Sequence, residues 1–453
     1  MIFIKQSVFF RSIFYCLFLL LGITVSCKKQ IQKDTIISEE TTEDDKEVEK
    51  LFSIVGAEPQ SLLKVSAFPF SAEESVLLSK CNQNAFFLLN DLYNGMNLTI
   101  SPLSLYYLLS MASSGATGDT QEQIGTMMGF GNNVELAEGF FHKIIENSRQ
   151  LDLSVKVSVA NMFAINKSQG FSVSSSYRNS IATNYESVVA ELDFKKREST
   201  SGIINKWVSL HTNGLIDNLV SKENISDAML AILINTLYCN GQWRPGFLPN
   251  STKPDAFYKE NGVEESIDYM NGADYRFFYT SDNYSVLTLN LGEETKHYAF
   301  SIVLPKEGKN LGDLLKELSE TKWENIIAAS NKYYVQTSIP KFKSYSTLSS
   351  KETLQRLGVS SIFNAASADF SKMTNGVNRH FYINDLIQKT NLSIDEKGIE
   401  ASSASSSMFY YDDGSGNKPQ VKTIFNANRP FVYVLSDIDS GLIFFIGVFT
   451  GAD

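Results

Sequence analysis

The stretch NLTISPLSLYYLLSMASSGATGDTQEQI, Asn97–Ile124, contains a helix start that two adjacent residues define. Ser101 precedes Pro102, so the serine hydroxyl can accept a hydrogen bond from an unpaired amide while the proline fixes the first turn. Leucines and an alanine follow at helical spacing, and the small residue allows close packing of a buried face. We therefore predict a buried helix over Leu103–Ser113.

Outside this helix, helical patterns come first along the chain and strand patterns dominate later. Ser75–Tyr93 repeats apolar residues at spacings of three and four, as an amphipathic helix does. Helices are also predicted at Tyr177–Tyr185 and Ser201–His211. The predicted strands are rich in β-branched and aromatic residues and several alternate with period two: Val155–Ile165, Met229–Tyr238, Ser285–Leu291, His297–Leu304, Tyr333–Ile339 and Phe431–Leu435. This order predicts an α+β domain and not a βαβ repeat.

The composition suits one large globular domain. The chain has 453 residues, of which 43% are hydrophobic and 20% charged, enough to bury a full core. The formal net charge is -10, and much of the excess lies in the acidic run Ser38–Glu49. Basic residues do not interleave with aromatic ones, so we expect no nucleic-acid partner.

The N-terminus has the order of a secretory signal. Lys5 and Arg11 precede the apolar run Ile13–Leu21, and small residues follow it before Cys27. The apolar run is short for a membrane-spanning helix. The residues before Cys27 resemble the lipidation motif of bacterial lipoproteins, although Thr24 stands where that motif usually has leucine.

We therefore predict a signal peptide over residues 1–26 and a lipid on Cys27. A plain signal peptide or an uncleaved anchor is the alternative. Residues 27–61 are acidic and almost free of aromatic side chains, a composition typical of a flexible tether. Apolar periodicity begins near residue 62, and residues 62–453 are predicted to form a single domain.

Two cysteines, Cys81 and Cys239, remain in the predicted mature chain. Two cysteines cannot build a disulfide framework. Each lies in an apolar segment, so each is predicted to be a buried thiol. A single bridge between them is left open.

The familiar catalytic and cofactor motifs are missing from the sequence. It contains no HExxH, CxxC pair, P-loop, GxSxG elbow or Rossmann glycine pattern. Its four histidines are scattered among predicted helices and strands, which favours structural roles: His142, His211, His297 and His380. We expect neither an enzyme nor a bound metal or cofactor.

Several blocks, in order from about Ser66 to Thr450, resemble the serpin family of protease inhibitors. They are the opening stretch, VSVANMFAIN, INKWVSLHTNGLIDNLV, LINTLYCNGQW, SIPKFK, ADFSKM, IDEKG and NRPFVYVLSDIDSGLIFFIGVF. The resemblance implies a serpin fold with three β-sheets, about eight to nine helices and an exposed reactive-centre loop at about 396–424. It places Ser101, Ser104 and Asn235 at the shutter, the middle of the central sheet, and Trp243 at the breach, its upper end. It also implies a pair between Glu396 and Lys341 at the breach.

The resemblance also implies a mechanism in which a cleaved loop inserts into the central sheet and the attacking protease is trapped as an acyl-enzyme. An inserting strand must place small uncharged side chains on its inward face. From Gly398 onward that face carries Ile399, Ala401, Ser403, Ser405 and Ser407, and the other face carries Glu400, Ser402, Ala404 and Ser406. The single charge, Glu400, lies on the outward face, which suits insertion.

Two positions depart from the pattern of inhibitory serpins. Ile399 occupies a hinge position that usually has threonine or serine, and its bulk could slow insertion. Gln388 lies where many members have a shutter histidine, which weakens any expectation of pH-dependent shutter behaviour.

The position of the cleaved bond depends on where counting starts. Counting from Gly398 places it between Asp412 and Asp413, with Tyr410 and Tyr411 as alternatives. Counting back from NRPF places it near Pro419, because the loop is longer than usual. We prefer the first count, since the mechanism fixes the inserting length.

These features predict a lipid-anchored suicide inhibitor of serine or cysteine endopeptidases. It is expected to be monomeric and held in the inner or outer membrane of a cell envelope, facing the periplasm or the exterior. The alternative is a non-inhibitory serpin that acts as a binding module or protease substrate, which Ile399 favours. A hydrolytic or sugar-binding lipoprotein is disfavoured by the missing motifs.

Overall fold

The structure is a computed structural model that describes residues 46–48, 50–51, 65–170, 172–294, 297–374, 381–399 and 423–452. The chain divides into two compact units between Glu47 and Val48. The elements below all belong to the second unit.

Nine α-helices lie within the described residues from 65 onward, together with short 3-10 turns. The first begins with a capping box, in which Ser71 and Glu74 each bond the other's backbone amide. The helices are α1 (Ala72–Leu92), α2 (Pro102–Ser114), α3 (Gly118–Met128), α4 (Val134–Ser148), α5 (Ser175–Tyr185), α6 (Arg197–His211), α7 (Leu311–Glu320), α8 (Trp323–Ala329) and α9 (Lys351–Arg356).

Fifteen strands form two sheets in the described ranges. They are β1 (Leu98–Ile100), β2 (Lys156–Asn166), β3 (Ser187–Leu192), β4 (Ala231–Gln242), β5 (Lys253–Tyr258), β6 (Glu264–Thr280), β7 (Tyr284–Asn290), β8 (Tyr298–Pro305), β9 (Asn331–Pro340), β10 (Phe342–Ser349), β11 (Ile387–Ile394), β12 (Gly398–Ile399), β13 (Thr423–Asn426), β14 (Phe431–Asp437) and β15 (Ile443–Phe449). The six-stranded sheet has the order β10-β11-β12-β4-β2-β3. The nine-stranded sheet has the order β1-β15-β14-β8-β7-β6-β9-β13, with β5 paired to β6.

The long strand β6 makes the second sheet continuous. Its first residues pair with β5, its last residues pair with β7, and its centre pairs with β9. The predicted α+β class is confirmed. The three predicted sheets appear as two hydrogen-bonded ones in the described residues, since β6 joins what would otherwise be separate sheets.

Helix α2 lies at the centre of the main core. It begins at Pro102, Ser101 caps it through a bond from the Ser104 amide, and its residues from Pro102 to Ser113 are all buried. It contacts β4 of one sheet and β15 of the other. The predicted cap and buried helix are confirmed, and α2 therefore forms the floor beneath the six-stranded sheet.

A second core cluster lies on the opposite, outer face of the six-stranded sheet. Trp207 of α6 packs there with Met162 of β2 and Ile234 of β4. Val48 and Leu51 belong to the same cluster and are only 2% and 3% exposed. They lie in the stretch predicted to be a flexible tether, so at least these two residues are docked on the domain.

The remaining expectations concern the cysteines, the histidines, membrane-spanning helices and metal ligands. Cys81 and Cys239 are buried thiols, as predicted, and no disulfide joins them. Burial raises the pKa of the Cys81 thiol. His297 is a buried structural residue paired to Asp437 at 3.0 Å. Within the described ranges, no helix has the length and apolar character to cross a membrane, and no cluster of potential metal ligands occurs.

Candidate functional site

The candidate site is a slot in the six-stranded sheet, between β4 and β11. The two-residue strand β12 enters this slot from one end and pairs with both neighbours. A tight turn leads into it, because the Asp395 carboxylate accepts bonds from the amides of Lys397 and Gly398. The chain of the predicted hinge therefore already lies in the sheet.

The register of β12 fixes how the chain enters. Gly398 pairs with Gln242 and Ile399 with Gly241 on β4, while Ile399 also pairs with Ile394 on β11. A Cβ atom on Gly398 would lie 2.0 Å from the Gly241 carbonyl oxygen, so only glycine fits at this crossing. The Ile399 side chain is 1% exposed and faces the main core.

Beyond β12 the slot is unfilled by the residues that the structure describes. No ladder joins β4 directly to β11 in these ranges, and a cavity of about 50 Å³ lies between them. Its inner side is lined by α2, and its outer side by the end of α6 and the segment after it. The residues lining it include Ser101, Ser104, Leu105, Leu108, Val208, Thr212, Leu215, Ile216, Leu219, Asn235, Leu237, Gln388, Thr390 and Asn391.

An ion pair holds the turn that precedes β12. Lys341 Nζ lies 3.0 Å from Glu396 Oε2, and Thr252 donates its hydroxyl to Glu396 Oε1 at 2.8 Å. Burial opposes ionisation of Glu396, but hydrogen bonds from its own backbone amide, Lys341 and Thr252 outweigh that effect and lower its pKa. The structure thus brings together the two residues expected to pair.

Trp243 and Phe247, which follow the end of β4, donate hydrogen bonds to the same turn. The Trp243 indole donates to the Asp395 carbonyl at 2.6 Å, and its amide donates to Lys397 at 2.9 Å. The Phe247 amide donates to the Glu396 carbonyl at 3.3 Å. The guanidinium of buried Arg276 lies 4.9 Å from the Phe247 ring centre, and burial lowers its pKa to about 10. The upper end of the slot is therefore held by backbone as well as side-chain contacts.

At the middle of the slot, the side chain of Gln388 on β11 makes two hydrogen bonds to the start of α2. Its amide accepts from the Ser101 backbone N–H at 2.9 Å and donates to the Ser101 carbonyl at 2.7 Å. This two-bond contact does not depend on an ionisable group, so β11 is held to the floor of the slot by a pH-independent link.

On the β4 side of the slot, side-chain amides form a hydrogen-bond chain beneath the sheet. Asn161 donates to the Tyr185 carbonyl at 2.8 Å, and Asn235 of β4 donates to Asn161 Oδ1 at 2.8 Å. These bonds fix which way each amide points. Asn235 Oδ1 and, on β11, Asn391 Oδ1 are left buried without a hydrogen-bond partner.

Part of the predicted site falls outside the described residues. This applies to Cys27, to the candidate cleavage residues and to the loop residues after β12: Asp412, Asp413, Tyr410, Tyr411, Glu400, Ala401, Ser403 and Ser405. The predicted positions that the structure does describe all surround the slot: Ser101, Ser104, Asn235, Trp243, Lys341, Glu396, Gly398 and Ile399.

Sequence reasoning missed several residues of the site. Thr252 and Phe247 bond the turn. Asn161 accepts from the Asn235 side chain of β4, and Asn391 of β11 donates to the Leu215 carbonyl. The sequence did mark two of them. Asn161 is the only amide in the apolar run VSVANMFAI, and Phe247 is an aromatic residue four positions after Trp243. Thr252 and Asn391 stand in polar surroundings, which gave no such signal.

The whole arrangement can be compared with known proteins. The family model for Serpin (serine protease inhibitor) matches residues 79–451. The chain belongs to the serpin family. It is 27% identical over 360 residues to Serpin-Z10 of Arabidopsis thaliana, covering 78% of this chain and 91% of that protein. It is 28% identical over 360 residues to human Antithrombin-III, covering 78% and 75%.

A solved structure supports the same assignment. Native tengpin, a thermophilic serpin, superposes with a TM-score of 0.74 and 26% identity, covering 86% of this chain and 97% of that one. Serpins are in general protease inhibitors and not catalysts, which agrees with the missing catalytic motifs. The slot between β4 and β11 is accordingly a feature of a serpin.

Proposed function

We propose that this serpin is a suicide-type inhibitor of serine endopeptidases, with cysteine endopeptidases as a further target class. The observation that carries the proposal is β12, which already occupies the top of a slot between β4 and β11 that the other described residues leave unfilled. A cleaved loop continuing from Ile399 would run down this slot and complete the ladder on both sides. Asp412 is the favoured acyl residue, with Tyr411 and Tyr410 next.

Ile399 is less of an obstacle to insertion than its size suggests. Its side chain is 1% exposed and lines the same small cavity as Leu392, Leu237 and Phe445. The hinge is thus seated before any cleavage, and the desolvation of its largest side chain has already occurred. The residues that follow on the same face are alanine and serine, which need little space.

The test is trapping of a protease in a complex that survives denaturant. The protein without its first 45 residues would be incubated with serine and cysteine endopeptidases, and the products separated on a denaturing gel. A covalent complex of the summed mass is expected with at least one protease. Mass spectrometry of that complex would locate the acyl residue.

Two variants make this test specific. Ala401→Arg puts a cation on the inward face, where its desolvation should block insertion and convert the inhibitor into a substrate. Glu400→Arg introduces the same side chain one residue away on the outward face and should still trap. Equal trapping by both variants would contradict strand insertion.

The predicted location enters here as part of the proposal. Lipidation of Cys27 would hold the inhibitor at a cell envelope, in the inner or outer membrane, where it would meet extracytoplasmic proteases as a monomer. Support comes from the order of charged, apolar and small residues before Cys27.

A non-inhibitory serpin is the second candidate, and the unusual Ile399 favours it. Such a protein would bind a partner or be cleaved without trapping. The two candidates differ in one measurement, the thermal stability of the cleaved chain. An inhibitor should melt well above its intact form, because the filled slot removes the metastability, whereas a protein that cannot insert its loop should not.

A further inference from the structure

Asp152 is a buried carboxylate that the proposed mechanism does not use. It lies four residues before β2 and is only 1% exposed. One carboxylate oxygen accepts bonds from the amide and the hydroxyl of Ser154, at 2.8 and 2.5 Å. The other accepts the Glu294 amide at 2.7 Å, and Ser154 accepts the Glu293 amide at 2.9 Å. The carboxylate therefore joins the start of β2 to residues 291–294, which follow β7 and are called the β7 turn below.

The contact between the β7 turn and the carboxylate is tight and favours the charged form. A Cβ atom on Gly292 would lie 2.3 Å from Asp152 Oδ2, and the φ of this glycine is +74°, so other residues do not fit here. Burial opposes ionisation of Asp152, but hydrogen bonds from Ser154 and from amides of the β7 turn outweigh that effect and lower its pKa. The bonds that hold the β7 turn are therefore charge-assisted and stronger than neutral ones.

The β7 turn is itself bonded to the end of β4. Gly292 donates its amide to the Gln242 carbonyl at 2.9 Å, and Trp243 forms an antiparallel bridge with Leu291. Packing supports these bonds, since a Cβ atom on Gly241 would lie 3.2 Å from Leu291 Cβ. The end of β4 is therefore fixed in place by the turn that Asp152 holds.

The end of β4 is also where β12 is seated. Gly398 pairs with Gln242, and Ile399 pairs with Gly241. Trp243 donates its backbone amide and its indole to the chain turn before β12. This contact has no slack, because a Cβ atom on Gly398 would lie 2.0 Å from the Gly241 oxygen. The residues of β4 that the β7 turn contacts are therefore the ones with which β12 pairs.

We infer that Asp152 is a positioning residue for β12: it holds the β7 turn on the end of β4 and so keeps β12 paired in the slot. The bonds of its carboxylate reach Ser154 and the β7 turn, so its effect on β12 passes through β4. The attachment of β12 can be measured on the intact chain without a protease. The consequence for trapping rests on the proposed function, in which a seated β12 begins the insertion.

Hydrogen exchange measures how firmly β12 is attached. In Asp152→Asn an amide N–H₂ group would face donors that the carboxylate now accepts. We expect the backbone amides of residues 395–399 to exchange about tenfold faster than in wild type, while those of β14 keep their rate. Ser154→Ala is a milder second variant that removes one hydroxyl from the same junction. It should speed exchange of residues 395–399 about threefold.

Asp437→Asn is the matched control. Asp437 is 0% exposed and accepts the amide and the hydroxyl of Ser440 at 2.7 and 2.6 Å, so its burial and its serine bonds resemble those of Asp152. Its remaining side-chain partner is His297, which lies outside the β7 turn. The control variant should lower the melting temperature as Asp152→Asn does, but residues 395–399 should exchange at the wild-type rate.

The fluorescence of Trp243 gives a local signal that a general loss of stability does not produce. Trp243 is 3% exposed, and its indole donates to the chain turn before β12 at 2.6 Å. The indole N–H groups of Trp207 and Trp323 have no hydrogen-bond partner among the described residues, so replacing both residues by Phe breaks no such bond. In that background Asp152→Asn should shift the Trp243 emission to longer wavelength, because water reaches the indole. Asp437→Asn should leave the emission unchanged.

The outcomes separate this inference from the proposed function. Wild-type exchange and emission in both Asp152→Asn and Ser154→Ala would overturn the inference, and so would an equal change in Asp437→Asn. Trapping is measured on the same variants, and Asp152→Asn should be cleaved as a substrate more often than wild type. Equal trapping by a variant with faster exchange would refute that consequence. If wild type traps no protease, the proposed function fails, while exchange at residues 395–399 still decides whether Asp152 positions β12.

Discussion

Replacing Glu396 by lysine should loosen the upper end of the slot. Glu396 accepts bonds from Lys341 at 3.0 Å and Thr252 at 2.8 Å, and its side chain is only 12% exposed. The lysine variant would lose both bonds and place two ammonium groups at the same spot. We expect β12 to detach and the slot to open to strands of other molecules.

The size of the effect follows from the burial of the two partners. Breaking a fully buried pair costs about 3–5 kcal/mol, because one charge is left unmatched. The Lys341 side chain is 44% exposed and can turn into solvent, so the loss should be reduced to about 2 kcal/mol. That loss is enough to populate the open form without unfolding the domain.

The assay is native gel electrophoresis after mild heating, with the melting temperature recorded in parallel. Glu396→Lys should polymerise at temperatures where the wild type stays monomeric. The matched control is Glu198→Lys, because Glu198 pairs with Lys222 at 2.9 Å but is 82% exposed. The control should behave like wild type. If Glu396→Lys remained monomeric, or if both variants polymerised alike, the pair would not hold the slot closed.

The lowered pKa of Glu396 makes the stability of the folded protein depend on pH. A carboxylate whose pKa is lower in the folded protein stabilises it above the unfolded pKa of about 4.3, and this contribution is lost as pH falls through the folded value. Wild type should therefore lose stability below about pH 4 relative to Glu396→Gln. Parallel stability curves for the two proteins across that range would contradict this assignment.

Three further predictions concern other parts of the chain. Gly398→Ala should expel β12 and make the hinge more sensitive to proteolysis, because the added Cβ would lie 2.0 Å from the Gly241 oxygen. Gly202→Ala is the control: its Cβ would meet nothing within 4 Å, so the proteolytic sensitivity of the hinge should not change. Leu51→Asp should undock the N-terminal segment and cost about 2 kcal/mol of unfolding free energy, and an unchanged melting temperature would argue against docking. Cys27→Ala should leave the protein unprocessed or free of the membrane, and the same mature mass and membrane fractionation would refute lipidation.

Local patterns in the sequence predicted the helices α1, α2, α5 and α6 and six of the strands, because each of these depends on neighbours a few residues apart, but they did not predict the other helices and strands of the described residues. The Ser101 cap and the buried α2 helix needed only a serine, a proline and apolar spacing. Strand β4 was likewise foreseen from its β-branched and aromatic residues, although it runs four residues further than expected, to Gln242 and not Tyr238.

The remaining features depend on contacts between distant residues, which local patterns cannot supply. Gly398 and Ile399 form a strand because β4 and β11 leave room between them for one more strand. Two residues are too few to show the alternation of polar and apolar side chains by which a strand is recognised in a sequence. Val48 and Leu51 lie in the acidic stretch 27–61, whose composition is typical of disorder, yet they meet an apolar surface built by α6 and the outer face of β2 and β4. Their docking follows from the surface and not from their own composition.

Among the described residues, the six-stranded sheet has no strand between β4 and β11 beyond the two residues of β12. In the proposed mechanism, an inserted strand would pair with the open edges of β4 and β11, which would lower the free energy of the inserted form. We propose that the intact chain is kept from that state because its loop is tied at both ends, to β12 and to β13. Cutting the loop would release the inserting part from β13. The protease therefore triggers the change that is proposed to disable it.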